Sequence, residues 1–332
     1  MHDIAALEEW IVGAGGIVAG VAVRRDAGGG RGLFALRDLP AGTTFLSVPR
    51  GLLVTRELAR GSSVGRQIRD AGLEVTDHTV LAAWLLVEAR DPASPFRPYI
   101  DALPRDLAGF PVGFGADELQ LLAGSVAGEL ARGRREAVWR DHAVLAARVR
   151  LCRFSEDELA WARTCVVSRV YRVTVDGVST LALVPLADMV NHRTAAEATF
   201  SYDDAARAFV VTCAADVAAG AEVHVSYGAK SNARLLAHYG FCVDDNPERE
   251  AEVRVGGEAI RIADPTADES RRLIEQHGAD EVAAAARAAL ARFATTLEED
   301  EALLAGGTLA RDARNCVLAR RDEKWVLRAW LV

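Results

Sequence analysis

The order of segment types along the chain is the feature that most limits its fold. A β-rich segment runs from about 20 to 48 and contains alternating apolar positions, as strands with one buried face do. The apolar spacing becomes helical from about 55 to 167, and β-rich sequence returns from about 180 to 226. We therefore predict an α+β fold in which a helical insertion separates two β-rich halves.

Local signals predict where several elements begin. Thr76 precedes a helical run and can cap it, and Ser155 with Glu158 forms an S-x-x-E capping box. The segment 200–212 has the strand-turn-strand pattern of a hairpin, with Asp203-Asp204 at the turn.

The last third of the chain has a helical pattern. We expect a small hairpin around Gly256-Gly257, followed by helical segments at 283–304 and 309–331. Gly278 and Gly306-Gly307 interrupt the pattern, as glycines at helix ends do.

Composition excludes several classes of protein. A net charge of -8 argues against a surface built for phosphate contacts, so we expect no nucleic-acid partner. The five cysteines show no C-x-x-C pair or metal-ligand spacing, so we expect no metal and a reducing, intracellular environment. No apolar stretch reaches the roughly 18 residues that span a bilayer, so no membrane is expected. The expected protein is a soluble monomer, cytoplasmic, or plastid if a transit peptide was removed.

Three separated motifs carry the functional information: GGRGLFALRDLPAGTTFLSVP, then SRVY with LALVPLADMVNH, and finally VSYGAKSNARLLAHYGF. Alone, each has a structural explanation. Gly30-Arg31-Gly32 can be a turn, or its missing side chains can let a nucleotide-like cofactor approach. A dinucleotide-binding loop is excluded, because Ala35 ends the G-x-G-x-x-G pattern and a strand pattern follows. Asn191-His192 can be a satisfied polar pair, and Tyr227 an ordinary strand aromatic.

In this order, with a helical block between the first and second, the motifs resemble the Rubisco large-subunit lysine methyltransferase branch of the SET-domain enzymes. The actin-histidine methyltransferase is similar over the same stretch. The resemblance covers about residues 20–245, and TTLEEDEALLAGG and NCVLARRDEKWVL resemble that family's C-terminal substrate-binding domain. It implies a SET-domain β-fold of short strands at 1–243, with the helical insertion at about 55–167. A mostly helical, substrate-binding-like domain would then occupy 244–332.

The resemblance also assigns roles to individual residues. Tyr227 falls on the catalytic tyrosine of the family, which is also part of the site for S-adenosyl-L-methionine. The other implied cofactor-binding residues are Gly30, Arg31, Gly32, Leu33, Phe96, Arg169, Asp188, Asn191, His192 and Phe241. The implied substrate-binding residues are Ser168, Tyr171 and Tyr239. For Phe96 and Phe241 a place in the core stays open, as does packing under a helix end for Tyr239.

The implied reaction is transfer of a methyl group from S-adenosyl-L-methionine to a protein side chain. Such an in-line displacement requires alignment and exclusion of water, and no metal. We expect a lysine of a non-histone protein to be the acceptor. The actin-histidine enzyme carries a small amide where this chain has Tyr171 and a tryptophan where it has Ala187. Histidine methylation is an alternative, and so is a non-catalytic peptide-binding module of the same fold.

Overall fold

The computed structural model describes residues 2–25 and 30–331. The chain forms two compact units. The first contains the described residues up to Arg105 together with Val138–Gly228. The second contains Asp106–Ala137 together with the described residues from Ala229 onward.

The first unit is built on short strands. They are β1 Ile17–Val18, β2 Val21–Arg25, β3 Arg31–Ala35, β4 Thr44–Pro49, β5 Val54–Thr55, β6 Val170–Val175, β7 Val178–Leu183, β8 Asn191–His192, β9 Ala198–Asp203, β10 Ala208–Cys213 and β11 Glu222–Val225. The larger sheet has the order β1-β4-β10-β9-β11-β3-β2, with β8 added alongside β11. A second sheet has the order β5-β7-β6.

Strands from both sides of the helical insertion meet in each sheet. In the larger sheet β10 is antiparallel to β4, with Phe209 opposite Val48. In the smaller sheet Leu183 of β7 is opposite Val54 of β5 and also opposite Val170 of β6. The two β-rich halves therefore form one β-structure, and the chain leaves it at β5 and returns at β6.

The predicted hairpin at 200–212 is confirmed. β9 and β10 pair in antiparallel register, with Tyr202 opposite Phe209 and Asp203 opposite Ala208. Phe209 is fully buried, because it belongs to the apolar face of β10 that packs into the core.

The α-helices of the first half of the chain are α1 His2–Gly13, α2 Arg56–Gly61, α3 Ser63–Asp70, α4 Asp77–Arg90, α5 Arg97–Ala102, α6 Ala116–Leu121, α7 Val126–Arg148 and α8 Glu156–Arg169. Both predicted caps are confirmed. The Thr76 hydroxyl accepts from the Thr79 amide at the start of α4. Ser155 and Glu158 form a reciprocal capping box at the start of α8, which satisfies amide groups that have no partner within the helix.

The second unit contains α9 Asn232–Tyr239, β12 Ala251–Val255, β13 Glu258–Ile262, α10 Asp268–His277, α11 Ala279–Leu290, α12 Leu297–Ala305 and α13 Arg311–Ala329. The predicted hairpin at Gly256-Gly257 joins β12 to β13 in antiparallel register. The expectation of a continuous helical segment at 283–304 is wrong. Thr296 and Glu299 form a second capping box, so a new helix begins at Leu297.

Residues ahead of the C-terminal region pack with it in the second unit. Leu122 and Ala127 share an apolar cluster with Leu236 of α9 and Ala319 of α13. Compactness therefore groups 106–137 and 229–243 with the C-terminal helices. The predicted domain boundary between 243 and 244 rests on the family resemblance, and it stays a prediction.

Helix α13 carries charged side chains into the interior of the second unit. Asp300 of α12 is fully buried, and Arg320 and Lys324 of α13 are 6% and 1% exposed. Arg320 Nη2 and Lys324 Nζ lie 2.6 and 2.7 Å from carboxylate oxygens of Asp300. The neighbouring Glu323 accepts hydrogen bonds from the Val126 amide, at 2.8 and 3.1 Å.

Two kinds of feature are absent from residues 2–25 and 30–331. No helix in these ranges has the length and apolar character needed to cross a bilayer. Likewise, the described His, Cys, Asp and Glu side chains form no group of three or more that could hold a metal ion. All five cysteines are free thiols.

Candidate functional site

Tyr227 lies two residues beyond the end of β11 and is tied to β8. Its amide donates to Nδ1 of His192 at 3.1 Å. The two rings stack with centroids 5.2 Å apart and planes at 30°. β8 runs parallel to β11, with His192 beside Val225, which brings the end of one strand against the other. Because Nδ1 accepts, a neutral His192 carries its proton on Nε2.

The Tyr227 hydroxyl is also oriented by the backbone. It donates to the carbonyl of Val190 at 2.8 Å. With its single hydrogen committed, the phenolic oxygen retains lone pairs that can accept or face positive charge. The side chain is half-buried at the edge of the main core.

Asn191 brings the first and second motifs together. Its Nδ2 donates to the carbonyl of Arg31 at 3.0 Å and to Oε1 of Glu222 at 2.7 Å. Both acceptors are oxygens without hydrogens, so the amide must present its nitrogen to them. The predicted grouping of the first motif, Asn191 and Tyr227 is therefore present in the structure.

Gly32 lies in a strand, so of the two alternatives left open for Gly30-Arg31-Gly32 the turn is not the one that the structure has. Gly30 immediately precedes β3, and Arg31 and Gly32 are its first two residues. The structure nevertheless explains why position 32 carries no side chain. A Cβ there would overlap Oε1 of Glu222 and lie 2.9 Å from Nδ2 of Asn191.

Asp188 is at the centre of a buried polar group. Arg169 Nη1 donates to the Asp188 carbonyl at 3.0 Å and lies 3.4 Å from its Oδ2. The Tyr99 hydroxyl donates to the same Oδ2 at 2.9 Å. The Asp188 side chain is fully buried and that of Arg169 is 16% exposed. An ion pair and a phenol therefore hold the segment that leads to Asn191.

Burial sets the electrostatics of this group. Desolvation raises the pKa of the Asp188 carboxyl above its usual range, although Arg169 opposes this. Desolvation, and then the charge of Asp188, raise the pKa of Tyr99 well above 10, so the phenol stays protonated and donates. Nε of Arg169 and Oδ1 of Asp188 are buried without a hydrogen-bond partner among the described residues. One donor and one acceptor are thus left over.

The backbone around Asp188 is strained. Leu186 has φ +67°, in the left-handed region that bulky residues rarely adopt, and the short 3-10 turn Ala187–Met189 follows it. The carbonyl of Ala187 accepts from the Tyr171 hydroxyl at 2.7 Å. The turn is therefore held by its neighbours in a conformation that the sequence alone disfavours.

Two predicted substrate residues belong to the first unit. The Tyr171 ring packs edge-on against Phe200 and Phe209, with centroids 4.7 and 4.9 Å away. The Ser168 hydroxyl donates to the carbonyl of Thr164 at 2.8 Å, one helical turn back. Tyr171 is therefore a rigid aromatic surface, and the Ser168 hydroxyl is committed within α8.

Three predicted cofactor residues make contacts within the first unit. The Phe96 ring makes edge-on contacts with Trp10 and Trp84, at 5.8 and 5.1 Å between centroids. Leu33 is fully buried in the main core. The Arg31 guanidinium donates to the carbonyl of Ala102 at 2.8 Å, and burial followed by the charge of Arg169 lowers its pKa.

Tyr239 and Phe241 lie in the second unit, unlike the other predicted site residues. Their ring centroids are 6.3 Å apart, and burial raises the pKa of Tyr239. Ser231 immediately precedes α9 but its side chain accepts no hydrogen bond from the helix amides. The Ser231 hydroxyl donates instead to Glu250 at 2.9 Å.

Sequence analysis missed two residues that contact the site. Tyr99 lies in the helical insertion, 89 positions before its partner Asp188, and no local pattern connects them. Glu222 was recognisable in principle, because Glu222 and His224 alternate with buried valines along β11 and so share one face. Two polar residues on one face, just before Tyr227, indicate a polar environment next to it.

Comparison with known proteins gives two family matches. The SET domain matches residues 30–228, and the Rubisco LSMT substrate-binding family matches residues 258–327.

Curated relatives include the actin-histidine N-methyltransferase of Rhinolophus ferrumequinum, 32% identical over 266 residues, which are 75% of this chain and 44% of that protein. The Danio rerio protein of the same name is 31% identical over 253 residues, 71% of this chain and 42% of the relative. The chain thus spans less than half the length of these relatives.

Solved structures give the same fold. The SET domain of LSMT bound to lysine and AdoHcy aligns over 99% of this chain and 90% of its own, with TM-score 0.82 and 21% identity. Rubisco LSMT bound to AdoMet aligns over the same shares with TM-score 0.81 and 21% identity. The predicted SET β-fold with a helical insertion and a helical C-terminal region is confirmed.

Proposed function

Because this chain belongs to the SET-domain family of protein methyltransferases, we propose that it transfers a methyl group from S-adenosyl-L-methionine to a side-chain nitrogen of a protein. The observation that carries the proposal is the position of Tyr227. Its hydroxyl and amide are both held by the β8 segment, through Val190 and His192. A tyrosine oxygen is thereby fixed beside the Asn191 backbone.

The residues proposed to hold the cofactor fit its chemistry. Its methionine part carries a carboxylate and an ammonium, which need a donor and an acceptor. The buried Arg169 Nε and Asp188 Oδ1, without partners among the described residues, supply one of each. Asn191, His192, Gly30, Arg31, Gly32 and Leu33 complete the proposed set in the first unit. Phe96 is proposed with them, and Phe241 of the second unit stays a prediction from the family.

The proposed role of Tyr227 follows from its hydrogen bonding. When bound, S-adenosyl-L-methionine supplies a methyl group attached to a positively charged sulfur. The Tyr227 oxygen has given its hydrogen to Val190 and can turn its lone pairs to positive charge. Such a fixed dipole stabilises charge that develops in a transition state without having to reorganise first.

The carbonyls of the preceding turn are fixed in the same way. Tyr171 donates to the carbonyl of Ala187, and Arg169 donates to that of Asp188. These bonds, together with the strained Leu186, hold the turn in a single conformation. The proposed site is therefore preorganised by bonds that reach it from α8 and β6.

We propose lysine as the acceptor. A lysine ammonium has a pKa near 10.4 and must lose its proton before it can attack. An aromatic, water-poor environment disfavours the charged form, and the Tyr171 ring, packed against Phe200 and Phe209, is proposed to contribute to such an environment. The lysine seen with the SET domain of LSMT supports the same acceptor. Tyr239 stays a predicted substrate residue.

Histidine is the second candidate. It is favoured by the relatives of highest identity reported above, which are named actin-histidine N-methyltransferases. Incubation of the protein with methyl-tritiated S-adenosyl-L-methionine and a fractionated protein extract, followed by tandem mass spectrometry, separates the two. Methyl groups on lysine Nζ support the first candidate, and methyl groups on an imidazole replace it with the second.

The test of the proposed function is Tyr227→Phe. We expect turnover to fall by about 100- to 1,000-fold, as when one preorganised polar group is removed from an active site. Affinity for S-adenosylhomocysteine should change by less than about twofold. Tyr202→Phe is the matched control, because the Tyr202 hydroxyl on β9 is buried without a partner among the described residues. Equal turnover in the parent and Tyr227→Phe would remove Tyr227 from the reaction.

A further inference from the structure

We infer that Glu222 is a positioning residue for the cofactor site, acting through the Asn191 side chain. The inference rests on the proposed function, because the segment that Glu222 holds is the one proposed to contact the cofactor. Glu222 belongs to β11 and lies five residues before Tyr227.

The Asn191 amide is fully occupied by protein acceptors. Nδ2 has two hydrogens, and it donates to Oε1 of Glu222 at 2.7 Å and to the Arg31 carbonyl at 3.0 Å. The side chain therefore joins β8 to both β3 and β11. Asn191 can serve a cofactor through its backbone and its side-chain oxygen, while its nitrogen keeps the strand in place.

Gly32 supplies independent evidence for the same contact. The Glu222 carboxylate occupies the position that a Cβ on Gly32 would take. β3 and β11 are antiparallel neighbours, with Val223 opposite Leu33. The glycine therefore leaves room beside β3 for the carboxylate that accepts from Asn191, and a side chain at this position would require the carboxylate to shift.

The second carboxylate oxygen of Glu222 faces His224. Its Oε2 lies 3.5 Å from Nε2 of His224, and Nδ1 of that histidine lies 3.3 Å from Oε2 of Glu197. His224 is buried, and it pairs with Asn191 in the parallel register of β8 and β11. An imidazole and a second carboxylate therefore lie next to Glu222, although Nδ1 of His224 and Oε2 of Glu197 have no hydrogen-bond partner among the described residues.

The two residues of β8 are consequently fixed by different bonds to the segment that runs from β11 to Tyr227. Glu222 holds Asn191 at the start of the strand, and the Tyr227 amide holds His192 at its end. A shift of β8 would have to break both. Loss of the first bond is expected to loosen the backbone that faces the cofactor while leaving the fold intact.

The test measures affinity for S-adenosylhomocysteine by calorimetry. Glu222→Ala should weaken binding by about 10-fold or more, since it removes a hydrogen bond to a charged group. Glu222→Gln should stay within about threefold of the parent, because its amide oxygen can still accept from Asn191. Glu57→Ala is the matched control and should bind like the parent, because Glu57 is a carboxylate that accepts from Thr180 away from the site.

A paired exchange distinguishes positioning from general loss of structure. Asn191→Asp places two carboxylates in contact and should weaken binding by about 10-fold or more. Adding Glu222→Gln to it restores a donor and an acceptor, so the double variant should bind several-fold more tightly than Asn191→Asp alone. Melting temperatures identify variants that are folded, and the exchange remains informative if Glu222→Ala does not fold.

Parent-like binding by folded Glu222→Ala, or no recovery in the double variant, would overturn the inference while the proposed function stands. A parent protein that does not bind S-adenosylhomocysteine would instead overturn the proposed function, and the inference with it. Substitution of Gly32 tests the contact with Glu222 without any ligand. Gly32→Ala should lower the melting temperature more in the parent than in Glu222→Ala, where the carboxylate is absent.

Discussion

Each unit of the molecule buries a carboxylate beside at least one cation, but the two clusters are completed to different extents. In the second unit, Lys324 uses all three of its hydrogens on Thr295, Thr296 and Asp300. In the first, Asp188 keeps Oδ1 unpartnered and Arg169 keeps Nε unpartnered among the described residues. Buried polar groups are costly unless satisfied. The complete cluster is typical of a structural role, and the incomplete one of a site that expects a ligand.

The largest expected effect is on stability, from Asp300→Asn. Neutralising Asp300 leaves Arg320 and Lys324 buried without their counter-ion, which should lower the free energy of unfolding by about 3–5 kcal/mol. Urea denaturation measures it. Glu298→Gln is the control, because its pair with Arg328 is exposed to solvent and should contribute little to stability. Equal losses in the two variants would remove the distinction on which the comparison rests.

The second effect is on binding, from Asp188→Asn. Arg169 and Tyr99 both approach Oδ2, so the asparagine must keep its oxygen there and place its NH2 where Oδ1 was. An acceptor becomes a donor, and affinity for S-adenosylhomocysteine should fall by about 10- to 100-fold. Stability should fall by less than in Asp300→Asn. Unchanged binding with a stability loss as large as that of Asp300→Asn would make both clusters structural.

The third prediction concerns Glu323, a buried carboxyl that accepts from backbone amides and forms no salt bridge with a described residue. Burial raises the pKa of Glu323 from 4.5 to about 8, although the Val126 amide opposes the shift. The folded protein therefore holds a proton that the unfolded chain releases between these pH values. Its stabilising contribution is complete below pH 4.5 and is lost as pH rises to about 8.

Denaturation of the parent and of Glu323→Gln at pH 5, 6.5 and 8 measures this. The stability of the parent relative to the variant should fall by up to about 1.4 kcal/mol per pH unit. Parallel pH profiles would show that Glu323 is ionised in the folded state. The contrast with Asp300, which has cations beside it, would then need another explanation.

The smallest effect is expected from Tyr99→Phe. This removes one of the donors to Oδ2 of Asp188, and the net value of such a bond is about 1–3 kcal/mol when the acceptor is charged. We expect a stability loss near the lower end and a few-fold weaker binding of S-adenosylhomocysteine, because Arg169 still holds the carboxylate. A larger effect than that of Asp188→Asn would mean that Tyr99 itself is the principal contact.

Sequence predicted the elements whose signals are local. The Thr76 cap, the capping box of Ser155 with Glu158 and the hairpin at 200–212 depend on residues within a few positions of each other, and all three were confirmed. The prediction of one continuous helical segment at 283–304 was wrong, because the sequence favours helix on both sides of Thr296, where a new helix starts. A capping signal that lies inside a helix-favouring stretch is easily overlooked.

The site could be predicted only where a motif was available to mark it. The meeting of Asn191, Arg31 and Tyr227 followed from family resemblance, and the structure brings them together. The roles of the predicted residues stay proposals. Tyr99 and the strained Leu186 left no trace in the pattern, because one depends on a contact across 89 positions and the other on backbone torsion.

The smaller sheet has a consequence for how such a chain can vary. β5 and β6 flank the same strand, β7, so the departure and return of the inserted helices are two strand spacings apart, roughly 10 Å. Lengthening the chain segment between these two fixed ends adds little to the entropy cost of closing it. Helices can therefore be gained, lost or exchanged between β5 and β6 without a change in the position of Tyr227.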